Sequence, residues 1–249
     1  EEYLTPEMLV DFDAVFPGRP LKLLGYYRNE LPCNWKMYHE NLKDPYHATL
    51  LHSFLVVFGL LVAGNKSAMT VDTVHGRHGT MASAKSEEKY ATVSEENKKE
   101  MRSFHDGLRL RDDRFLEYVK EFDSPWSVTM QTIWPNLIVQ REMNTLGVRH
   151  IIPNGPNSMI MQWTMFGYED DTEEMQRHRL RQGNLMGPAG FLGLEDNEAM
   201  KFVQEGVRRS STDLNVLKLE SGKLGTSETL ISEAAIRSMY QYYRQVMGF

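Results

Sequence analysis

Residues 126–168 limit most strongly what this chain can fold into. The runs SVTMQTIW, LIVQREM, TLGVRHIIP and SMIMQWTMFGY are rich in β-branched and aromatic residues, and Pro–Asn, Asn–Thr and Asn–Gly–Pro–Asn breaks separate them. Strands joined by breaks this short return antiparallel, because a parallel neighbour needs a crossover of about a dozen residues. A meander is therefore predicted here. Upstream, LKLLGYYRNEL (21–31) reads as a further strand, and residues 67–85 read as a hairpin turning at His75–Gly76–Arg77. Helical patterns flank these strands. One spans 5–17, opened by Thr–Pro and closed by Pro–Gly, and a second runs from Asn34 to Leu61. Residues 86–124 are charged and mostly helical in pattern, most clearly in SEENKKEMRSFHDGLRL. The segment DDTEEMQRHRLRQGN reads as a helix capped by Asp171 with Glu174, and the loop LMGPAGFLGL leads to a helix opened by EDNEAMKFVQEGV. A last helix, SEAAIRSMYQYYRQVM, places Ile236, Met239, Tyr243 and Val246 on one face. Strands grouped centrally with helices around them indicate an α+β domain.

A chain of 249 residues with 41% hydrophobic content closes one sizeable core, so residues 1–249 are expected to form a single domain. The net charge of −6 offers no basic field for nucleic acid. The long apolar run, Leu50 to Ala63, is interrupted by His52 and Ser53 and is too short for a bilayer, so neither nucleic acid nor membrane is an expected partner. One cysteine, Cys33, rules out an internal disulfide and any cysteine-built metal cluster within these residues, and it fits a reducing cytoplasm. The chain opens at Glu1–Glu2–Tyr3, without an initiator Met, and reads as a piece of a longer protein.

The chemistry is concentrated in DPYHATLLH, residues 44–52. Asp44 and His47 share a helical face, and Asp44 with Pro45 is also a credible helix start. His47 and His52 lie roughly 140° apart around a straight helix, so they converge on one ion only if the helix bends or breaks. On spacing alone, a helix packing Leu42, Tyr46, Leu50, Leu51 and Phe54, with both histidines as ordinary core or surface groups, is the better reading.

The longer string NWKMYHENLKDPYHATLLH changes that balance, because it resembles the iron motif of Rieske-type aromatic ring-hydroxylating oxygenases, in their large (α) subunit. The segment NLMGPAGFLGLEDNEAMKFVQEG (184–206) is similar to that family's second metal segment, in which the second member of an acidic pair binds iron. The resemblance implies His47, His52 and Asp196 as ligands of a mononuclear Fe(II), although Asp196 taken alone reads as a helix N-cap. Two imidazoles and one carboxylate on one face of the ion leave positions open for dioxygen. It implies for Asp44 a relay role, linking a ligating histidine to a cluster histidine of a neighbouring subunit. It also implies a helix-grip fold, an antiparallel sheet with surrounding helices and a long C-terminal helix. The family's N-terminal Rieske domain needs two cysteines and two histidines for its [2Fe-2S] cluster, so that domain is expected to be absent from these residues. Implied partners are the Rieske domain of a neighbouring α subunit, a small β subunit, and a ferredoxin or NADH-dependent reductase.

Several tracts most resemble the family's oxygenases for ortho-substituted benzoates: salicylate 5-hydroxylases, anthranilate 1,2-dioxygenases and 2-halobenzoate 1,2-dioxygenases. Terephthalate dioxygenases are similar at a greater distance, and the position of their second carboxylate-binding arginine corresponds to Leu230, which disfavours a para-dicarboxylate. Expected walls of an apolar slot are Leu42, Ala48, Leu51, Met186 and Leu192. For the substrate carboxylate the expected partner is Arg149, with Gln140 and Asn144 as hydrogen-bond donors, while Arg149 reads equally well as a strand-face ion pair. The resemblance thus implies an oxidoreductase that hydroxylates an aromatic acid with O2. A non-catalytic helix-grip module holding an apolar ligand is the alternative. A zinc hydrolase is disfavoured by the lack of an HExxH helix.

Overall fold

The computed structural model describes residues 3–58, 60, 65–85, 109–187, 189–211, 216 and 218–249. Its strands are β1 (Leu21–Leu31), β2 (Ser67–Val71), β3 (Gly79–Ser83), β4 (Val128–Ile133), β5 (Leu137–Glu142), β6 (Thr145–Pro153) and β7 (Met159–Tyr168). They form one antiparallel sheet in the order β1-β7-β6-β5-β4-β3-β2. The expected meander is β4 to β7, the 67–85 hairpin is β2–β3, and β1 closes the far edge beside β7. The helices are α1 (Pro6–Val15), α2 (Trp35–Asn41), α3 (Ala48–Leu51), α4 (Ser53–Val57), α5 (Glu173–Met186), α6 (Phe191–Arg209) and α7 (Ala234–Met247). The architecture is α+β, as expected. Among the described residues no helix is long and apolar enough to cross a membrane.

The middle of the sheet is covered on both faces, which explains why β5 shows no simple polar alternation. Side chains of a strand point alternately to opposite faces. On β5, Val139 joins the outer layer with Val15, Phe122, Leu146, Phe166 and Tyr168, and α1 covers it, with Phe16 stacked on Phe166 at 5.4 Å between ring centroids. Ile138 belongs to the inner layer, where Tyr38 and Leu42 pack with Met130, Met161, Trp163 and Met200 of α6. Each such buried side chain contributes about 1.5–3 kcal/mol. Gly147 on β6 is required by this packing, because a Cβ there would lie 2.3 Å from the indole nitrogen of Trp163.

Register sets two inner rows across β3, β4 and β5: Met81–Met130–Gln140, and next to it Ser83–Val128–Glu142. The second row ends the sheet beneath the helical segment 35–57. The helical pattern read over 34–61, with a helix start expected at Asp44–Pro45, is more broken than expected in this segment. The segment consists of α2, a 3-10 turn (Pro45–His47), α3 and α4, with His52 at ψ 64° breaking the last two apart.

Other boundaries also moved. The cap of α5 is Thr172, whose hydroxyl accepts from Met175 N; Asp171 is engaged instead by Tyr168 N and by Arg179. Helix α6 begins at Phe191 with Gly190 as its cap, so Asp196 lies in its second turn and does not cap it. On α7, Ile236 and Met239 are buried, but Val246 is 58% exposed because the last turn extends beyond the packed body. Residues 109–124 hold only a 3-10 turn, Asp113–Leu116, while 86–108, including most of the predicted SEENKKEMRSFHDGLRL helix, lie outside the described residues.

Candidate metal centre

The break at His52 resolves the geometric objection to DPYHATLLH. A straight helix would turn the two histidines apart, but the chain leaves helical geometry at His52 and swings its ring back toward His47, to 5.3 Å between ring centroids. Asp196 arrives from the second turn of α6. His52 Nε2 lies 3.0 Å and His47 Nε2 3.4 Å from the same oxygen, Asp196 Oδ1. The three side chains each offer one ligand atom, all within 4.8 Å of one another.

The far nitrogens are fixed too. His47 Nδ1 donates to Asp44 Oδ1 at 2.7 Å and approaches the Asp44 carbonyl at 2.8 Å. His52 Nδ1 donates to Glu195 Oε2 at 2.6 Å. A carboxylate accepts only, so each Nδ1 carries a hydrogen; without an ion the protonated rings also donate from Nε2 to Asp196 Oδ1, and loss of that proton would free each Nε2 lone pair for a cation. This Nδ1–carboxylate pairing on both rings orients them for a cation. Asn41 Nδ2 donates to Asp196 Oδ1 at 3.2 Å, while its buried Oδ1 has no partner.

Electrostatics point the same way. Burial alone would lower the His47 pKa, but Asp196 and Asp44 reverse that and lift it to about 10. His52 is likewise raised against the effect of burial, by Asp196 and then Glu195. Burial would raise the Asp196 pKa, yet the two imidazoles hold it well below the usual carboxylate range. Carboxylates packed this closely around two imidazoles demand positive charge at the point between them. Two imidazole nitrogens and one carboxylate oxygen are the donor set that suits Fe(II) with neighbouring positions free, so the residues fit that ion.

The triad sits in the wall of a cavity of about 90 Å³. Aliphatic cavities on the order of 150 Å³ take a benzene ring, so the space here is smaller than that and takes a ring only with movement of its walls. Of the expected walls, Leu42, Ala48, Met186 and Leu192 line it, and Leu51 does not. Met81, Met130 and Met143 close the sheet side, and Leu230 contributes a further apolar wall.

Arg149, Gln140 and Asn144 are not brought to the cavity, which corrects their expected role at a substrate carboxylate. Arg149 is 1% exposed, donates through Nε to Gln140 Oε1 and through Nη1 to Tyr38 OH, both at 2.6 Å, and lies over the Trp163 ring. Asn144 is spent in the core, where its side chain bridges Val119 N and O, Glu121 and His178. Three charged groups at the site were not anticipated. Glu195 was visible only as the first member of the acidic pair, while Glu142 and Lys85 line the cavity from the sheet side. The signal for Glu142 was a carboxylate at the buried end of the apolar strand LIVQRE.

Comparison with known proteins gives consistent results. The family model for the ring hydroxylating alpha subunit (catalytic domain) matches residues 20–248. The chain is 42% identical over 252 aligned positions to the large oxygenase component of salicylate 5-hydroxylase from Ralstonia sp, covering 100% of this chain and 58% of that protein. It is 36% identical to the anthranilate 1,2-dioxygenase large subunit of Burkholderia cepacia, again over 100% of this chain and 58% of the relative. To the terephthalate 1,2-dioxygenase subunit alpha 2 of Comamonas sp it is 34% identical, covering 100% of this chain and 59% of that subunit. The chain therefore spans less than two thirds of the length of these relatives. In fold it is similar to naphthalene 1,2-dioxygenase from Rhodococcus sp. bound to indole, with TM-score 0.63 at 19% identity over 97% of this chain and 61% of that one.

Proposed function

This chain belongs to the family of ring hydroxylating alpha subunits, as their catalytic domain, and from that premise we propose that it binds Fe(II) through His47, His52 and Asp196 and hydroxylates a single-ring ortho-substituted benzoate. The observation that carries this reading is the convergence of three ligand atoms within 4.8 Å at the wall of a small apolar cavity. Iron bound there supplies the activation of dioxygen.

The chain's own residues do the rest. Asp44 and Glu195 hold the Nδ1 hydrogens of the two histidines, so that both Nε2 lone pairs face the ion. Leu42, Ala48, Met186 and Leu192 exclude water and hold the ring beside the triad. Asp44 keeps about a quarter of its side chain exposed, which suits a relay to a group on another chain. We assign that group to the [2Fe-2S] cluster on a neighbouring subunit, fed by a ferredoxin or an NADH-dependent reductase, with a small beta subunit as a further partner. At Leu230 the cavity wall is apolar, which favours a monocarboxylate over a para-dicarboxylate.

Anaerobic titration of the purified chain with Fe(II) and Zn(II), followed by calorimetry with salicylate, anthranilate and 2-chlorobenzoate, tests the proposal. Stoichiometric iron and saturable binding of at least one of the three acids are expected. Binding of apolar ligands without any dependence on iron would favour the non-catalytic module instead.

A further inference from the structure

Glu142 is a carboxyl that the proposed iron chemistry leaves without a role. It is 2% exposed, ends β5, and lines the cavity from the sheet side, with the metal triad also in the cavity wall. Transfer of a carboxyl into such surroundings is costly unless its oxygens are partnered. One of them is. Glu142 Oε2 accepts from Gln140 Nε2, Gln140 Oε1 accepts from Arg149 Nε, and Arg149 Nη1 donates to Tyr38 OH. The guanidinium at one end fixes the direction of every link, since it can only donate. Gln140 must therefore turn its amide N–H toward Glu142, and the carboxyl is held with its second oxygen left over. The row Ser83–Val128–Glu142 places the group at the edge of the sheet against the cavity, next to Met143. Burial opposes its ionised form most strongly and Asp196 adds to that, while Arg149 and His52 favour ionisation.

We propose that Glu142 determines substrate choice, its unshared carboxyl oxygen accepting a hydrogen bond from an amino or hydroxyl group on the ring. The inference rests on the reading of the cavity as the site of an aromatic acid. It narrows that class to acids with a ring-borne donor, over isosteres such as halobenzoates that offer none. Hydrogen bonds to a charged group contribute about 1.5–3 kcal/mol, equivalent to roughly 10-fold to 100-fold in affinity.

The test is equilibrium binding of anthranilate and 2-chlorobenzoate to the Fe(II)-loaded chain without oxygen, in the parent and in Glu142→Gln. The substitution keeps shape and volume. Gln140 would still donate to the amide oxygen, so the amide NH2 would face the cavity and oppose a ring donor. The parent is expected to prefer anthranilate at least about 10-fold, and the variant to lose that preference while holding iron and 2-chlorobenzoate as before. An unchanged ratio of the two affinities in the variant overturns the inference and leaves the proposed function standing. A parent that binds iron but neither acid overturns both. Glu142→Asp, which withdraws the carboxyl by one methylene, serves as a second variant and is expected to reduce the same ratio.

Discussion

The cavity has two walls built on opposite principles. The helical wall takes Asp44, His47 and His52 from nine consecutive residues and places them by breaking a helix at His52. The sheet wall takes Ser83, Val128 and Glu142 from three strands and places them by register, with Gln140 and Arg149 behind. The contrast separates function from stability. Two of the three proposed metal ligands, His47 and His52, lie on the wall that local sequence specifies, whereas the polar chain behind the other wall is part of the inner core, where every member is fully or almost fully buried.

Removing a link from the sheet wall is the strongest way to break this comparison. Arg149→Ala leaves Glu142 without its counter-charge and Tyr38 without its donor, and is expected to cost about 3–5 kcal/mol in urea unfolding. A pH series sharpens it. Burial lifts the Glu142 pKa from the usual 4.5 to about 7, so the folded chain holds that proton more tightly than the unfolded one. Stability should then fall as pH rises from about 4.5 to 7, Glu142 contributing up to about 3 kcal/mol, and should go on falling above that range as His47, lifted to about 10, loses its proton. Denaturation of the metal-free chain across that range should show the decline, and Glu142→Gln should flatten it.

The helical wall should respond in affinity more than in stability. Glu195→Ala frees the His52 Nδ1 hydrogen from its carboxylate and is expected to weaken Fe(II) binding about 10-fold with little change in the unfolding midpoint, as measured by anaerobic metal titration beside a melt. The smallest effect is expected at Leu50. Its side chain is 79% exposed, contrary to the packed position expected from sequence, so Leu50→Gln should change stability by no more than about 0.5 kcal/mol.

The same contrast explains what could be read in advance. The strands β4 to β7 were legible because turn residues punctuate them, and DPYHATLLH because its two candidate ligands, His47 and His52, lie within one short stretch. Asp196 was found through resemblance and not through its helix position, since a Gly–Phe–Leu–Gly–Leu stretch that reads as loop is in fact the first turn of α6. Arg149 was misplaced because alternation tells which face a strand residue takes, but not whether a neighbour such as Tyr38 consumes its donors first. Glu142 was missed because both faces of β5 are covered, so a carboxylate among buried neighbours carried no sign of the cavity in front of it.

The central claim is that one iron site joins His47, His52 and Asp196 across the chain. It is tested most directly by iron content after anaerobic reconstitution of the parent, His52→Ala and Asp196→Ala, each checked for intact fold by circular dichroism. About one iron per parent chain, with near-complete loss in both folded variants, is the predicted result. Equal iron in the parent and both variants, or none in the parent, would contradict the claim.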